Sequence, residues 1–237
     1  MAKQQYVVDA GNSRLKIGRF EGEKLVQVAA LALTDWQHHG LPMPAEAAAL
    51  SSVSLPESEL EHWLREQGIS RIVRFDPMSP VPFASTYTSL ETLGSDRKML
   101  ILGAIGLYPN CNRLIIGMGS CITYDIVTAK NVHMGGDISP GMHMRWRAMH
   151  EFTARLPLVT SPEPLQPFGT NTSSALRTGV VQGMVAEIQG RIQQLEQHLP
   201  DLTIILTGGD AHFFEKQINS PIFAEPNLAL YGLHALL

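Results

Sequence analysis

Cysteine is scarce, with only Cys111 and Cys121 in 237 residues. Without companions, the pair supplies neither a zinc site nor a disulfide framework, so buried free thiols and a cytoplasmic location are expected. Long apolar runs are missing. None approaches the ~18 residues that a spanning helix needs, and Met1-Ala2-Lys3-Gln4-Gln5 lacks the apolar centre of a signal peptide. Charge is sparse at 17%, with a net of −4 and no basic block. That removes the electrostatic case for nucleic acid or an anionic membrane as partner. His38-His39 and the scattered other histidines lack metal-ligand spacing. There is no Gly-x-x-x-x-Gly-Lys-Ser/Thr loop and no Gly-x-Ser-x-Gly elbow. Ile122 stands where a dinucleotide fingerprint beginning Gly117-x-Gly119 would need its third glycine.

What is present is apolar residue, 44% of the chain, enough for a sizeable core in one large domain or two small ones. Tyr6-Val7-Val8 and Leu15 to Phe20 read as a β-hairpin around Gly11-Asn12. Residues 21–45 are mixed. Ala47 to Val53 reads as a strand. A helix starts around Pro56, carries Leu60, Trp63 and Leu64 at helical spacing, and is closed by Gly68. Ile69 to Phe75 is a further strand, followed by a loop with Pro77, Pro80 and Pro82. Gly94 opens a helix to about Tyr108, with Met99, Leu100, Ala104 and Leu107 as its apolar positions. The pattern then begins again. Arg113 to Ile116, Cys121 to Val127 and Val132 to Ile138 are strand-like. Helices follow from Gly141 to Phe152 and from Thr172 to His198, separated by a proline-rich loop. Leu202 to Leu206 is a buried-type strand, residues 222–225 one more, and Pro226 begins a final helix. This predicts an α/β protein of two similar domains, 1–112 and 113–237, facing each other across a cleft.

Three glycine turns lie at predicted strand ends: 9–13, 117–120 and 207–209. Each either offers backbone N–H groups to phosphate or simply turns the chain. In the first, Asp9 is a candidate magnesium ligand and Lys16 brings a positive charge, the combination a nucleotide triphosphate needs; the alternative is an ordinary hairpin with solvated side chains. Asp96 lies at a helix start, where the dipole favours a carboxylate. It is either a reacting base or a residue stabilising its own helix. Arg97 is a surface charge or an anion ligand, Tyr87 core or pocket wall, and Thr172 a ligand or a helix cap.

Taken in order, these stretches resemble the type III pantothenate kinases, and the likeness runs from Asp9 to the last helix. Asp9 to Lys16 resembles the family's first phosphate motif, Asp-x-Gly-Asn-Thr/Ser followed by a basic residue. Gly94-Ser95-Asp96-Arg97 resembles its Gly-x-Asp-Arg motif, with Tyr87 seven residues earlier. Gly119-Ser120-Cys121-Ile122-Thr123-Tyr124-Asp125 resembles the second phosphate motif. Gly135 to Gly141, Thr153 to Pro157, Gly169 to Thr172 and Thr207-Gly208-Gly209 match further stretches in order. The resemblance implies the actin/Hsp70/sugar-kinase fold with ribonuclease-H-like domains, and transfer of phosphate from ATP to pantothenate. It implies Asp96 as catalytic base, and Asp9 holding Mg²⁺ directly or through water. Asp9, Ala10, Gly11, Asn12, Ser13, Arg14, Leu15, Lys16 and Ser120 would bind ATP. Tyr87, Gly94, Ser95, Asp96, Arg97 and Thr172 would bind pantothenate. It further implies a homodimer. A regulatory homologue without catalysis, or a kinase of another small polyol, are the alternatives. One departure stands out. The family's monovalent-cation ligand, an aspartate two residues before the second motif's glycine, is here Gly117, so a K⁺ or NH₄⁺ site of the usual kind is not expected.

Overall fold

The computed structural model describes residues 4–76, 78 and 80–237. The chain forms two compact units. The first comprises Met1–Pro109, Asn131–His133 and Asn227–Leu237; the second comprises Asn110–Lys130 and Met134–Pro226.

In the first unit, strands β1 (Gln4–Ala10), β2 (Leu15–Glu21), β3 (Lys24–Leu31), β4 (Ala47–Ser52) and β5 (Arg71–Arg74) form one sheet in the order β3-β2-β1-β4-β5. The hairpin is antiparallel, while β4 runs parallel to β1 and β5 parallel to β4. Alternation sorts the side chains by face. Tyr6, Val8 and Ala10 join Leu60, Trp63 and Leu64 of helix α1 (Glu57–Glu66) in one core. Val7 and Asp9 point to the opposite face. On that face, position 18 lies against Leu230. There, too, Phe20 stacks on His234, and the His234 ring meets Gln5 at 2.8 Å. Leu230 and His234 belong to the last helix, α6 (Leu228–His234). The β3 strand lies in the stretch that carries no clear sequence pattern. Its burial alternates only weakly, so the period-two signal is blurred.

Helix α2 (Ser95–Leu107) crosses α6 at close range. A methyl group at Gly103 would collide with the Leu228 carbonyl, and one at Gly232 with the Met99 carbonyl. The apolar stripe expected on α2 is wider than Met99, Leu100, Ala104 and Leu107. Leu107 is exposed, whereas Arg97, Lys98, Ile101 and Leu102 are buried. A helix enclosed on several sides shows little amphipathic periodicity. Gly232→Ala should destabilise the protein by about 2 kcal/mol or more, since forced backbone separation outweighs the ~1 kcal/mol helix-propensity gain of alanine. Urea unfolding measures this, and an unchanged or higher midpoint would contradict the close crossing.

In the second unit, β7 (Asn112–Met118), β8 (Cys121–Val127), β9 (Val132–Pro140), β10 (Leu202–Thr207) and β11 (Ile222–Ala224) follow the order β11-β10-β7-β8-β9. A two-residue strand, β6 (Ala84–Ser85), pairs with Val132 and His133, the residues of β9 that belong to the first unit. Strand β8 is antiparallel to β7, and β10 is parallel to it. Read from β9, this is the order of the first sheet, with β7 in the place of β1. Leu114, Ile116, Met118, Tyr124, Ile204 and Leu206 form the core with Met142 and Trp146 of α3 (Met142–Glu151) and Val181, Met184, Ile188 and Ile192 of α4 (Thr172–Glu196). A short helix, α5 (Ala211–Glu215), adds Phe214.

Both cysteines are half-buried rather than buried. Cys111 lies in the turn between α2 and β7, and Cys121 follows the exposed pair Gly119-Ser120. Each is therefore at an element's edge.

Candidate active site

In the first unit, β1 ends in a four-residue loop, closed by a 3.0 Å bond from the Gly11 N–H to the Arg14 carbonyl. Ser54 Oγ donates to the Gly11 carbonyl at 2.8 Å and fastens the loop to the end of β4. Asn12, Ser13 and Arg14 are exposed, whereas Ala10 and Leu15 are fully buried. Of the predicted phosphate stretch, Gly11 to Arg14 thus offers its surface, while Ala10 and Leu15 anchor it in the core. Asp9 lies in register between Lys16 on β2 and Ser51 on β4. Loss of hydration pushes the Asp9 carboxyl up to about 6, the positive charge of Lys16 opposes this, and the negative charge of Asp96 adds to it. The two candidate carboxylates therefore sense each other. Alternation along β1 explains this, because Asp9 points to the face that α6 covers, and α2 packs on α6.

Asp96 lies in the first turn of α2 and is exposed. Its Oδ1 accepts the Arg97 N–H at 2.9 Å and curls over Gly94, where a methyl group would come within 2.5 Å of it. Glycine at 94 is thus what lets the carboxylate sit over the helix start, beside exposed N–H groups. Arg97 is buried rather than a surface charge, and its guanidinium lies 5.8 Å from the centre of the Tyr87 ring. Tyr87 is half-buried, as a wall residue would be. Ser95 is half-buried beside Asp96.

In the second unit, Gly119 and Ser120 form an exposed turn. The Gly141 N–H donates to the Ser120 carbonyl at 3.0 Å, and the Asp210 N–H to the Met118 carbonyl at 3.2 Å. Side chains at Gly141 or Gly208 would collide with this turn, and Gly208 has φ +99°. Three glycine segments, Gly119, Gly141 and Gly208, thus meet at the end of β7. Burial raises the Asp210 carboxyl, with the charge of His143 opposing it. Thr172 opens α4 and is exposed, but it is not the cap. Asn171 takes that role, accepting the Ser174 N–H at 2.9 Å while Ser174 Oγ accepts the Asn171 N–H at 3.0 Å. With capping done by its neighbour, the Thr172 hydroxyl is not committed to that task.

Gly117 is the sixth residue of β7, as Asp9 is of β1. Its register neighbours are Thr123 and Thr207. Asp125, two residues further along β8, is fully buried.

Sequence reasoning passed over Ser51 as a neighbour of Asp9, Gly141 as a support of the Ser120 turn, and Asp210 beside it. Serines ending the β4 run and the acidic residue after Gly208-Gly209 were the visible signals. No cluster of three or more His, Cys, Asp or Glu side chains arranged for a metal occurs among the described residues. A divalent ion at Asp9 would depend on oxygen atoms of a bound phosphate and water, as Mg²⁺ sites in kinases do.

Comparison with known proteins agrees with this layout. The family model of type III pantothenate kinase matches residues 6–194. The type III pantothenate kinase of Christiangramia forsetii is 36% identical over 236 residues, covering 98% of this chain and 96% of that one. Among solved structures, a Baf-family protein from Campylobacter jejuni superposes with a TM-score of 0.62 at 22% identity, covering 98% of this chain and 96% of that one. A glucokinase from an Antarctic psychrotroph does so with 0.54 at 8%, covering 100% and 99%. These structural likenesses give the fold, which is of the actin/Hsp70/sugar-kinase type. The sequence match over nearly the whole length gives more: this chain belongs to the type III pantothenate kinase family.

Proposed function

We propose that this protein phosphorylates pantothenate with ATP to give 4′-phosphopantothenate, the first step of coenzyme A synthesis. The observation that carries the reading is the pair of carboxylates, Asp9 and Asp96, close enough for one charge to shift the other, beside Arg97 with its guanidinium over the Tyr87 ring. Asp96 accepts the proton of the substrate hydroxyl. Arg97, Tyr87, Gly94, Ser95 and Thr172 hold pantothenate. The loop from Gly11 to Arg14, with Lys16, takes the nucleotide phosphates, and Ser120 is the nucleotide-binding hydroxyl of the second unit. Asp9 would hold Mg²⁺, directly or through water, and the ion would offset charge on the phosphoryl oxygens. Burial leaves the ionised Asp9 carboxylate poorly hydrated, and a bound cation would offset that charge. Catalysis is then mostly positioning and electrostatics around a loose transition state. We place the protein in the cytoplasm as a homodimer. Ile138, Phe152 and Phe168 of the second unit are exposed apolar side chains of the kind partner surfaces cover.

The test is ADP release coupled to a spectroscopic readout, with pantothenate against a panel of sugars and short hydroxy acids. Pantothenate alone should give turnover. Preference for a sugar would point to a different kinase of the same fold.

Gly117 leads to a separate expectation. Glycine offers no side-chain ligand, and the fully buried Asp125 lies two residues further on. Activity should vary less than about two-fold between K⁺, NH₄⁺, Na⁺ and a bulky organic cation when ionic strength is held fixed. Saturable activation by K⁺ or NH₄⁺ alone would contradict it.

A further inference from the structure

His133 has no part in the reading above, yet it is fully buried and touches the segment that presents Tyr87 at four residues, Phe83, Ser85, Thr86 and Tyr87. Its ring lies edge-on to Phe83, with centroids 6.2 Å apart. Its Nδ1 is 2.9 Å from Ser85 Oγ. Its carbonyl accepts the Thr86 N–H at 2.9 Å. Its ring stacks on Tyr87, with centroids 6.0 Å apart and planes inclined by 29°. Ser85 Oγ in turn accepts the Tyr87 N–H at 3.0 Å. A chain of contacts therefore runs from the imidazole through the serine hydroxyl to the backbone of Tyr87, and from the ring directly to the Tyr87 side chain. Tyr87 carries the Arg97 guanidinium against its ring.

The supporting strand is short. Only Ala84 and Ser85 pair with Val132 and His133, and the preceding stretch is proline-rich, so backbone pairing alone does little to fix residues 83–87. A phenylalanine would fill the same space and stack as well. What the imidazole adds is a polar atom aimed at Ser85, in a place where a buried polar group must find a partner.

We propose that His133 is a positioning residue for the acid substrate: it sets the Tyr87–Arg97 pair through Ser85 and takes no part in binding nucleotide. The proposal rests on the pantothenate kinase reading above. Four variants separate the contributions. His133→Ala removes ring and hydrogen bond, His133→Phe keeps the ring, His133→Asn keeps a polar atom near the Nδ1 position, and Ser85→Ala removes the serine's bonds to both His133 and the Tyr87 N–H while leaving the ring in place.

His133→Ala is expected to raise the pantothenate KM about ten-fold, the effect of roughly one lost hydrogen bond at the substrate wall. The ATP KM and kcat should stay within about two-fold. Ser85→Ala and His133→Phe should each give a smaller rise, and His133→Asn should recover part of the loss. Hydrogen exchange of peptides covering 83–89 should quicken in His133→Ala without any ligand present. A pantothenate KM within two-fold of wild type in both His133→Ala and Ser85→Ala would overturn the proposal, as would equal rises in both KM values. Should wild type fail to use pantothenate at all, the functional reading falls, and the exchange measurement alone still judges whether His133 holds this segment: no quickening overturns it.

Discussion

Asp96→Asn is expected to lose roughly 10²–10⁴-fold in turnover, the usual range for a general base. ATP affinity should hardly change. The carboxylate is exposed over a helix start, and its Oδ1 accepts its neighbour's N–H. Asparagine can still accept that N–H with its carbonyl oxygen, so the helix start is kept and only the proton-accepting capacity is lost. Steady-state kinetics together with nucleotide titration separate these effects. Turnover within a few-fold of wild type would remove Asp96 from the chemistry. A loss at the low end would mean that the residue mainly positions the hydroxyl, because a loose transition state needs little help in deprotonation.

Asp9→Asn should do two opposite things. Use of Mg-ATP should collapse, because asparagine is a poor magnesium ligand and lacks the charge the ion needs. The protein without nucleotide should meanwhile become more stable at neutral pH. Burial raises this carboxyl from an ordinary 3.8 to about 6, so the fold prefers its protonated form. The resulting stabilisation is complete below about pH 4, fades as pH rises through about 6, and is gone at neutral pH. Two pKa units correspond to about 3 kcal/mol, an upper figure for a group that is only partly enclosed. For a chain of this size that upper figure is a rise in melting temperature of about 6–12 °C. Melting curves of wild type and variant should therefore coincide near pH 4 and separate towards pH 7. Mg-ATP should close the gap by stabilising wild type more. A variant that melts lower than wild type at pH 7 would show that the charge at position 9 supports the fold and is not held at its expense.

These two carboxylates also mark how far the sequence could be read. Asp9 was legible because it interrupts an apolar run and is followed by turn residues and then a lysine on the returning strand. Asp96 was legible through its motif, but its nearness to Asp9 was not. That depends on which face of β1 the aspartate occupies and on α6, the last helix of the chain, which packs on that face and on α2. Local patterns carry no record of such a long-range return. Apart from β3 and the two-residue β6, the strands of both sheets were visible as apolar runs, and their observed ends lie within a few residues of the expected ones. β3 was not visible, since its burial is partial and its residues are mixed. Arg97 reads as surface or ligand because charged residues at helix starts are usually solvated, whereas in the fold it is buried with its guanidinium over the Tyr87 ring. Thr172 reads as a ligand or a cap because serine and threonine favour the cap position. Asn171, one residue earlier, fills it with a reciprocal bond to Ser174, a pairing that sequence spacing alone leaves ambiguous. His133 gave no signal, as a single histidine in a strand is ordinary until its neighbours in space are known.

The most direct test of the central claim is to supply ATP labelled at the γ-phosphate together with pantothenate, and to follow the label. The account predicts that it appears on the primary hydroxyl of pantothenate, identified by mass and by phosphorus–carbon coupling, in wild type and at a strongly reduced rate in Asp96→Asn. Label released only as inorganic phosphate, or pantothenate phosphorylated equally fast by the Asp96→Asn variant, would contradict it.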